Sequence, residues 1–270
     1  MKEPRVDRTA LAAVYGQGAD TYDALWSPVI RPPALSVIDS LELGDAIHVL
    51  DVGAGTGALF DALRTAAPNG WIVSVDPALQ MLRHARQHRH VQAALADAAA
   101  LPFGTSSVDA VLLAYVLFHL LDPSLGLNEA ARVLIPGGRV GTVTWATESQ
   151  PRAATVWTEA LDELGVPTLP AHGNDAGLET EDAINTLLLA AGLAPMRTWR
   201  ESVEHTFTAD GFWNMRTGCG CNRARLAKLD QPTYDQVLPE VRRRLQRLKS
   251  SDYTFRGEVI CSVSRKTVST

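Results

Sequence analysis

The sequence predicts an α/β chain: a doubly wound, mostly parallel seven-stranded sheet with an antiparallel C-terminal edge pair and a helical cap. Three observations predict it. Short apolar runs alternate with helical patterns from residue 34 to about 146. Those runs are continuous rather than alternating, as in strands covered on both faces. Two later segments do alternate, and they flank about 45 residues of helical pattern.

Taken in order, "PALSVIDSL" has helical spacing and stops at Gly44. "IHVLDVG" is the first strand. "GALFDALRTAAP" is a helix ended by Pro68 and the turn "PNG". "WIVSVD" is the second strand, followed by the helix "PALQMLRHARQH", with Pro77 in its first turn. "VQAALAD" is the third strand, ending in Asp97, and "SVDAVLLAYV" is the fourth. "DPSLGLNEAARVL" is a helix, "IPGG" a turn and "RVGTVTWA" the fifth strand. "RAATVWTEALDELG" and "TEDAINTLLLAAGL" are helices separated by a Pro/Gly-rich loop over 166–177, which carries His172. "MRTWRESVEHTF" and "YTFRGEVICSVSR" complete the sheet.

With 270 residues, 46% hydrophobic and 20% charged, the chain is of ordinary globular composition. Its net charge of −5 supplies no cationic field, so neither nucleic acid nor an anionic membrane is an expected partner. The basic run "RRRLQRLK" reads as a solvated helix face. Cys219, Cys221 and Cys261 form no zinc set, so no metal is expected. Their odd number, with a charged N-terminus and no apolar span of roughly 20 residues, points to the cytoplasm.

"VLDVGAGTGAL" (49–59) fits two nucleotide loops, the dinucleotide fingerprint and a shorter loop for an adenosyl sulfonium. Either use relies on glycines that let the backbone approach a ligand. Asp76, closing the second strand, suits the two hydroxyls of a ribose, or the cap of the next helix. Asp97 can accept from an adenine amine, with the Ala98 N–H reaching the ring. The whole succession of blocks, rather than the loop, separates the two ligands.

Residues 49 to about 146 resemble the class I S-adenosylmethionine-dependent methyltransferases. They are most similar to the small-molecule branch that includes the ubiquinone/menaquinone-biosynthesis enzymes. The resemblance rests on "VLDVGAGTG", "VDPALQML", "ADAAALPF", "VDAVLLAYVLFHLLD" and "EAARVLIPGGRV", with "YGQGADTYDALW" in front. It implies a Rossmann-like fold and S-adenosyl-L-methionine as cofactor, with S-adenosyl-L-homocysteine as product. Asp51, Gly53, Ala54 and Gly55 would line the methionine and ribose part, and Asp76 would hold the ribose. Pro77 and Met81 would pack on the adenine, Asp97 and Ala98 would read its edge, and Ala114 and Tyr115 would pass near the sulfur. Tyr15 and Tyr22 would close over the carboxylate end, or simply pack.

One domain over 1–270 is expected: lid helices (1–32), a cofactor-binding core (33–150), the rest of the sheet (151–208 and 251–266) and a cap insertion (209–250). His119 lies beside the expected methyl position, as a general base or as a structural histidine. Of the other histidines, His84, His88 and His90 read as solvated, and His205 could face the cap. Trp145, Trp213, Asn214 and Arg216 are candidates for acceptor contact, the last three equally compatible with packing.

"LAYVLF" stands where nucleic-acid amino-methylating enzymes carry Asp/Asn-Pro-Pro-Tyr/Phe, so the expected acceptor is a small molecule, methylated by a monomer or homodimer. The alternative is the same fold in non-methylating chemistry or as a non-catalytic partner-binding module; the latter is expected to erode the glycine loop or the ribose acid, and both are intact. Calorimetric titration separates the nucleotides: S-adenosylmethionine is expected to bind and NAD not to. Tight NAD binding with none of the sulfonium would overturn the reading.

Overall fold

The computed structural model describes residues 8–168 and 177–267; His172, in the expected Pro/Gly-rich loop, lies outside them. The chain divides into two compact units.

The larger unit comprises Ile30–Thr147, Gly173–Ser202 and Glu258–Thr270. Its centre is β1 (His48–Val52), buried from Val49 onward because both faces are covered. β2 (Trp71–Asp76) and β4 (Val108–Ala114) pair with it in parallel, one on each side. β3 (Gln92–Leu95) continues beyond β2, and β5 (Leu134–Ser149) beyond β4. β6 (Leu193–Thr206) and β7 (Thr254–Lys266) complete the order β3-β2-β1-β4-β5-β7-β6. The last two run antiparallel, since Phe207 N–H donates to the Tyr253 carbonyl while Thr267 N–H donates to that of Gly192. The expected mostly parallel seven-stranded sheet with an antiparallel edge pair is what forms.

Helices α3 (Ser27–Ser40), α4 (Phe60–Ala66), α5 (Leu79–Arg89), α6 (Pro123–Val133) and α8 (Glu181–Ala190) accompany the sheet. Their burial follows helical spacing: α5 buries Met81, Leu82 and Ala85, and α6 buries Leu127, Ala130 and Ala131. These α6 side chains share a core with Leu50, Val52, Val111 and Leu113 of the strands. Asp122 caps α6 by accepting the Ser124 N–H at 2.9 Å, with Pro123 in the first position.

Several boundaries differ from expectation, and three of them have a reason in hydrogen bonding or register. Pro77 is not in the first turn of α5. Asp76 accepts the Ala78 N–H at 2.7 Å, a turn that delays the helix to Leu79. Asp97 does not end β3, which closes at Leu95. Its carboxylate accepts the Ala99 N–H, and its carbonyl that of Ala100, both at 2.9 Å. "IPGG" is not a turn before β5 but an irregularity inside it: the register jumps from Val108–Leu134 to Ala110–Arg139, with Gly137 at φ +80°.

The smaller unit comprises Met1–Val29, Glu148–His172 and Val203–Gly257. Its described elements are α1 (Arg8–Gly16), α2 (Ala19–Leu25), α7 (Arg152–Glu163), α9 (Ala209–Gly218), α10 (Gly220–Leu226), α11 (Gln231–Leu245) and the adjoining strand ends. Its core is aromatic. Phe212 lies 5.5 Å from Tyr253 and 6.4 Å from Phe207, and Trp26 stacks on Phe207 at 6.4 Å. Tyr253 donates its hydroxyl to the Leu245 carbonyl at 2.8 Å, which satisfies a buried polar tip.

Gly141 of β5 lies against α3 so closely that a Cβ would stand 2.5 Å from Cγ1 of Val37 and 3.1 Å from Cδ1 of Leu41. Gly141→Ala is expected to lower unfolding stability by about 1–3 kcal/mol through overpacking. Chemical denaturation checks this; an unchanged midpoint would show that α3 yields freely.

Candidate functional site

Strand order reverses between β1 and β4, where loops leaving the carboxyl ends of an open parallel sheet part and form a ligand crevice. Residues at these ends carry buried polar groups without partners among the described residues, as Ser74, Thr142 and Thr144 do within the strands. Asp51, on β1, is 1% exposed, and its Oδ2 is buried without a hydrogen-bond partner. Burial, with Asp76 nearby, pushes its pKa up to about 7. Asp76 is also buried, and its pKa is raised by burial against two backbone N–H bonds that pull it down. Those bonds come from Gly55 to Oδ2 at 2.9 Å and from Ala78 to Oδ1 at 2.7 Å.

The glycine loop is tied to the end of β2. Gly53 and Ala54 both donate to the Val75 carbonyl, at 2.7 and 3.0 Å. With Gly55 bonded to Asp76, the three leading amides are committed within the protein and unavailable to cradle a pyrophosphate. Gly53, Gly55 and Gly57 hold φ values of +69°, +55° and +74°, which favour glycine. A Cβ on Gly53 would run into the Val116 side chain, whereas one on Gly55 meets nothing within 4 Å. Two buried carboxylates with no lysine or arginine paired to either in the described residues, beside committed amides, fit a cationic adenosyl ligand better than a dinucleotide.

Met81 is buried on α5, Pro77 is exposed, Asp97 is half-buried and Ala98 is 6% exposed. What holds the Asp97 loop was not among the expected site residues. Glu129 accepts the Leu101 N–H at 2.7 Å, while Arg132 donates to the carbonyls of Phe103 (2.8 Å) and Leu101 (2.9 Å). Arg132 also meets Glu129 at 2.6 Å. The signal was present in "EAARVL", whose acid and base one turn apart form a ready clamp.

Ala114 ends β4 half-buried. Tyr115 follows at φ +61°, a backbone conformation that bulky residues seldom adopt. Its N–H donates to the Val143 carbonyl at 2.8 Å, its ring lies 5.2 Å from Trp145, and its buried hydroxyl has no partner. Burial raises the phenol's pKa, so it remains a neutral donor. His119 closes the short turn Leu117–His119 with its ring 4.3 Å from that of Phe118. Burial lowers its pKa to about 4, which keeps the imidazole neutral. Of the other histidines, His88 is exposed on α5, and His84 lies half-buried with its ring 4.3 Å from that of His88.

The remaining candidates belong to the smaller unit. Tyr15 and Tyr22 pack edge to face at 5.8 Å. On α9, Trp213 packs edge-on to Trp157 at 5.8 Å, Asn214 is exposed, and Arg216 lies over the Phe212 ring at 4.9 Å. His205 stands 4.5 Å from Phe207, its pKa lowered by burial.

A family model described as a methyltransferase domain matches residues 50–141. The demethylmenaquinone methyltransferase of Corynebacterium urealyticum is 40% identical over 121 residues, 45% of this chain and 51% of that enzyme. The chain thus spans about half the length of that relative. The demethylmenaquinone methyltransferase of Mycolicibacterium gilvum is 36% identical over 214 residues, 79% of this chain and 86% of that enzyme. Among solved structures, Haemonchus contortus phosphoethanolamine N-methyltransferase 2 in complex with S-adenosyl-L-methionine shares the fold at a TM-score of 0.56 and 18% identity, covering 99% of this chain and 62% of that one.

Asp51 makes stability depend on pH. Its folded pKa, about 7, stands above the ordinary 3.8, so the folded state holds the proton more tightly. The contribution is complete below pH 4, falls as pH rises to 7 and is absent above. The full fall is on the order of 4 kcal/mol. Melting curves of Asp51→Asn are expected to lose this decline relative to wild type between pH 4 and 7; parallel curves would remove the charge from the account.

Proposed function

The chain belongs to the class I S-adenosylmethionine-dependent methyltransferases, and from that premise we propose that it methylates a flat, hydroxylated small-molecule acceptor. The observation that carries the cofactor half of the reading is the buried, unpartnered Oδ2 of Asp51 behind a loop whose leading amides are committed. The acceptor half is supported by the aromatic pair Tyr115–Trp145 and by relatives named for demethylmenaquinone.

The cofactor, S-adenosyl-L-methionine, supplies an electrophilic methyl on a sulfonium that leaves as S-adenosyl-L-homocysteine. In the proposed arrangement, Asp51 meets its ammonium end, with Gly53, Ala54 and Gly55 beside it. Asp76 retains lone pairs for the ribose hydroxyls after accepting two N–H bonds. Asp97 and Ala98, in the loop held by Glu129 and Arg132, would read the adenine edge, and Pro77 and Met81 would flank the ring. Ala114 and Tyr115 would pass near the sulfonium. Tyr15 and Tyr22 are assigned to the carboxylate end on the family resemblance alone, as Trp213 and Asn214 are to the acceptor.

Methyl displacement is in line, so alignment and exclusion of water account for most of the acceleration. Tyr115, fixed by its backbone bond to Val143 and by Trp145, offers a neutral O–H to orient the acceptor oxygen. His119, neutral throughout the physiological range, can take the hydroxyl proton as the new O–C bond forms. The reading extends to a cytoplasmic monomer or homodimer that uses neither nucleic acid nor membrane. It is supported by the net charge of −5 and three free cysteines. No helix among the described residues is long and apolar enough to cross a membrane.

Release of S-adenosylhomocysteine across a panel of naphthols, quinols and phenolic acids tests the acceptor class; turnover confined to non-aromatic acceptors would overturn it. With an active acceptor, His119→Ala is expected to lower turnover by about 100-fold while leaving cofactor affinity intact. The wild-type rate is expected to show no limb from His119 between pH 6 and 9, because that group titrates near 4. Unchanged turnover in the variant would reduce His119 to packing.

A further inference from the structure

The smaller unit treats its arginines in two ways. Arg225 is fully provided for, meeting Asp162 at 2.6 Å and the carbonyls of Val166 and Pro167 at 2.6 and 3.1 Å. Arg244 meets Glu163 at 2.6 Å and Glu240 at 2.9 Å, and Arg256 meets Glu204 at 3.0 Å. Arg216 has no carboxylate partner in the described residues. Its Nε is buried and makes no hydrogen bond. Its Nη2 makes one long bond, 3.3 Å, to the amide oxygen of Gln150, whose own nitrogen turns to Glu148 at 3.1 Å. Burial lowers the pKa only to about 10, so the group stays cationic at neutral pH.

A half-buried guanidinium with no carboxylate partner in the described residues and a buried, unbonded Nε is costly, and the face of Phe212 at 4.9 Å recovers only part of the loss. The smaller unit also holds the Trp157 Nε1, buried without a partner among the described residues, on the indole that packs edge-on to Trp213. The unbonded Arg216 Nε–H, on the helix that carries Phe212 and Trp213, complements an oxyanion carried on a flat ring. The Nε–H and Nη–H edge of a guanidinium matches the two oxygens of a carboxylate.

We propose that Arg216 binds the carboxylate of an aromatic ligand. Calorimetry on the full chain saturated with S-adenosylhomocysteine tests it with two probes, 1-hydroxy-2-naphthoate and its neutral amide. Wild type is expected to bind the naphthoate about 10- to 100-fold more tightly than the amide. Arg216→Gln is expected to erase that preference and Arg216→Lys to restore part of it, with S-adenosylhomocysteine affinity equal in all three. Equal or absent binding of the probes by wild type, or a preference that survives in Arg216→Gln, overturns the proposal. Weakened S-adenosylhomocysteine binding in Arg216→Gln also overturns it, since the anion would then be the cofactor's own carboxylate. Absence of S-adenosylhomocysteine binding in wild type would instead count against the methyltransferase reading, and the probe preference would still decide the role of Arg216.

Discussion

The cofactor end of the larger unit depends on one carboxylate, Asp76, joining the glycine loop to the end of β2. By accepting N–H bonds from Gly55 and Ala78, it fixes the loop after β1 and sets the start of α5. The Val75 carbonyl reinforces it by taking Gly53 and Ala54. With those amides committed, the loop presents close backbone and open space rather than free N–H groups. In the proposed reading the ligand's charge would be left to Asp51, whose burial beside a second acid makes it receptive to a cation.

That arrangement costs stability and is retained where function needs it, a pattern expected of sites rather than of cores. The left-handed backbone of Tyr115 belongs to the same pattern, since its strain stands at the end of β4 beside the strand-order reversal. Elsewhere in the larger unit, Asp109 takes the N–H groups of Ile47 and His48, and Glu129 and Arg132 hold the Asp97 loop, while Ser74, Thr142 and Thr144 keep buried hydroxyls without a partner among the described residues. In the smaller unit Arg225 and Arg216 show the same contrast within one set of helices.

Much was legible in the sequence because the signals were local or periodic. Continuous apolar runs marked β1, β2 and β4, and "WIVSVD" matches β2 residue for residue. The late segments marked the antiparallel pair, although the half-exposed alternation expected of them did not form: β7, between β5 and β6, is buried without a break from Val259 to Ser264. What failed included the boundaries at Pro77, Asp97 and "IPGG": the first two were moved by Asp side chains that accept amides two residues on, and the third by its register against β4. Glu129 and Arg132 went unassigned because their partners, the amide and carbonyl of Leu101 and the carbonyl of Phe103, lie about 30 residues away and carry no side-chain signature.

The sequence by itself determined the family, the sheet and the identity of the acids at the strand ends, since glycine spacing and strand-terminal carboxylates are written in order along the chain. Only the tertiary structure decided the state of those groups. Asp51 titrates near neutrality, His119 stays uncharged, and among the described residues Tyr115 keeps a lone buried hydroxyl and Arg216 lacks a counter-charge, because burial and distant partners set each charge's energy. Neither burial nor a distant partner can be read from a residue's neighbours in sequence.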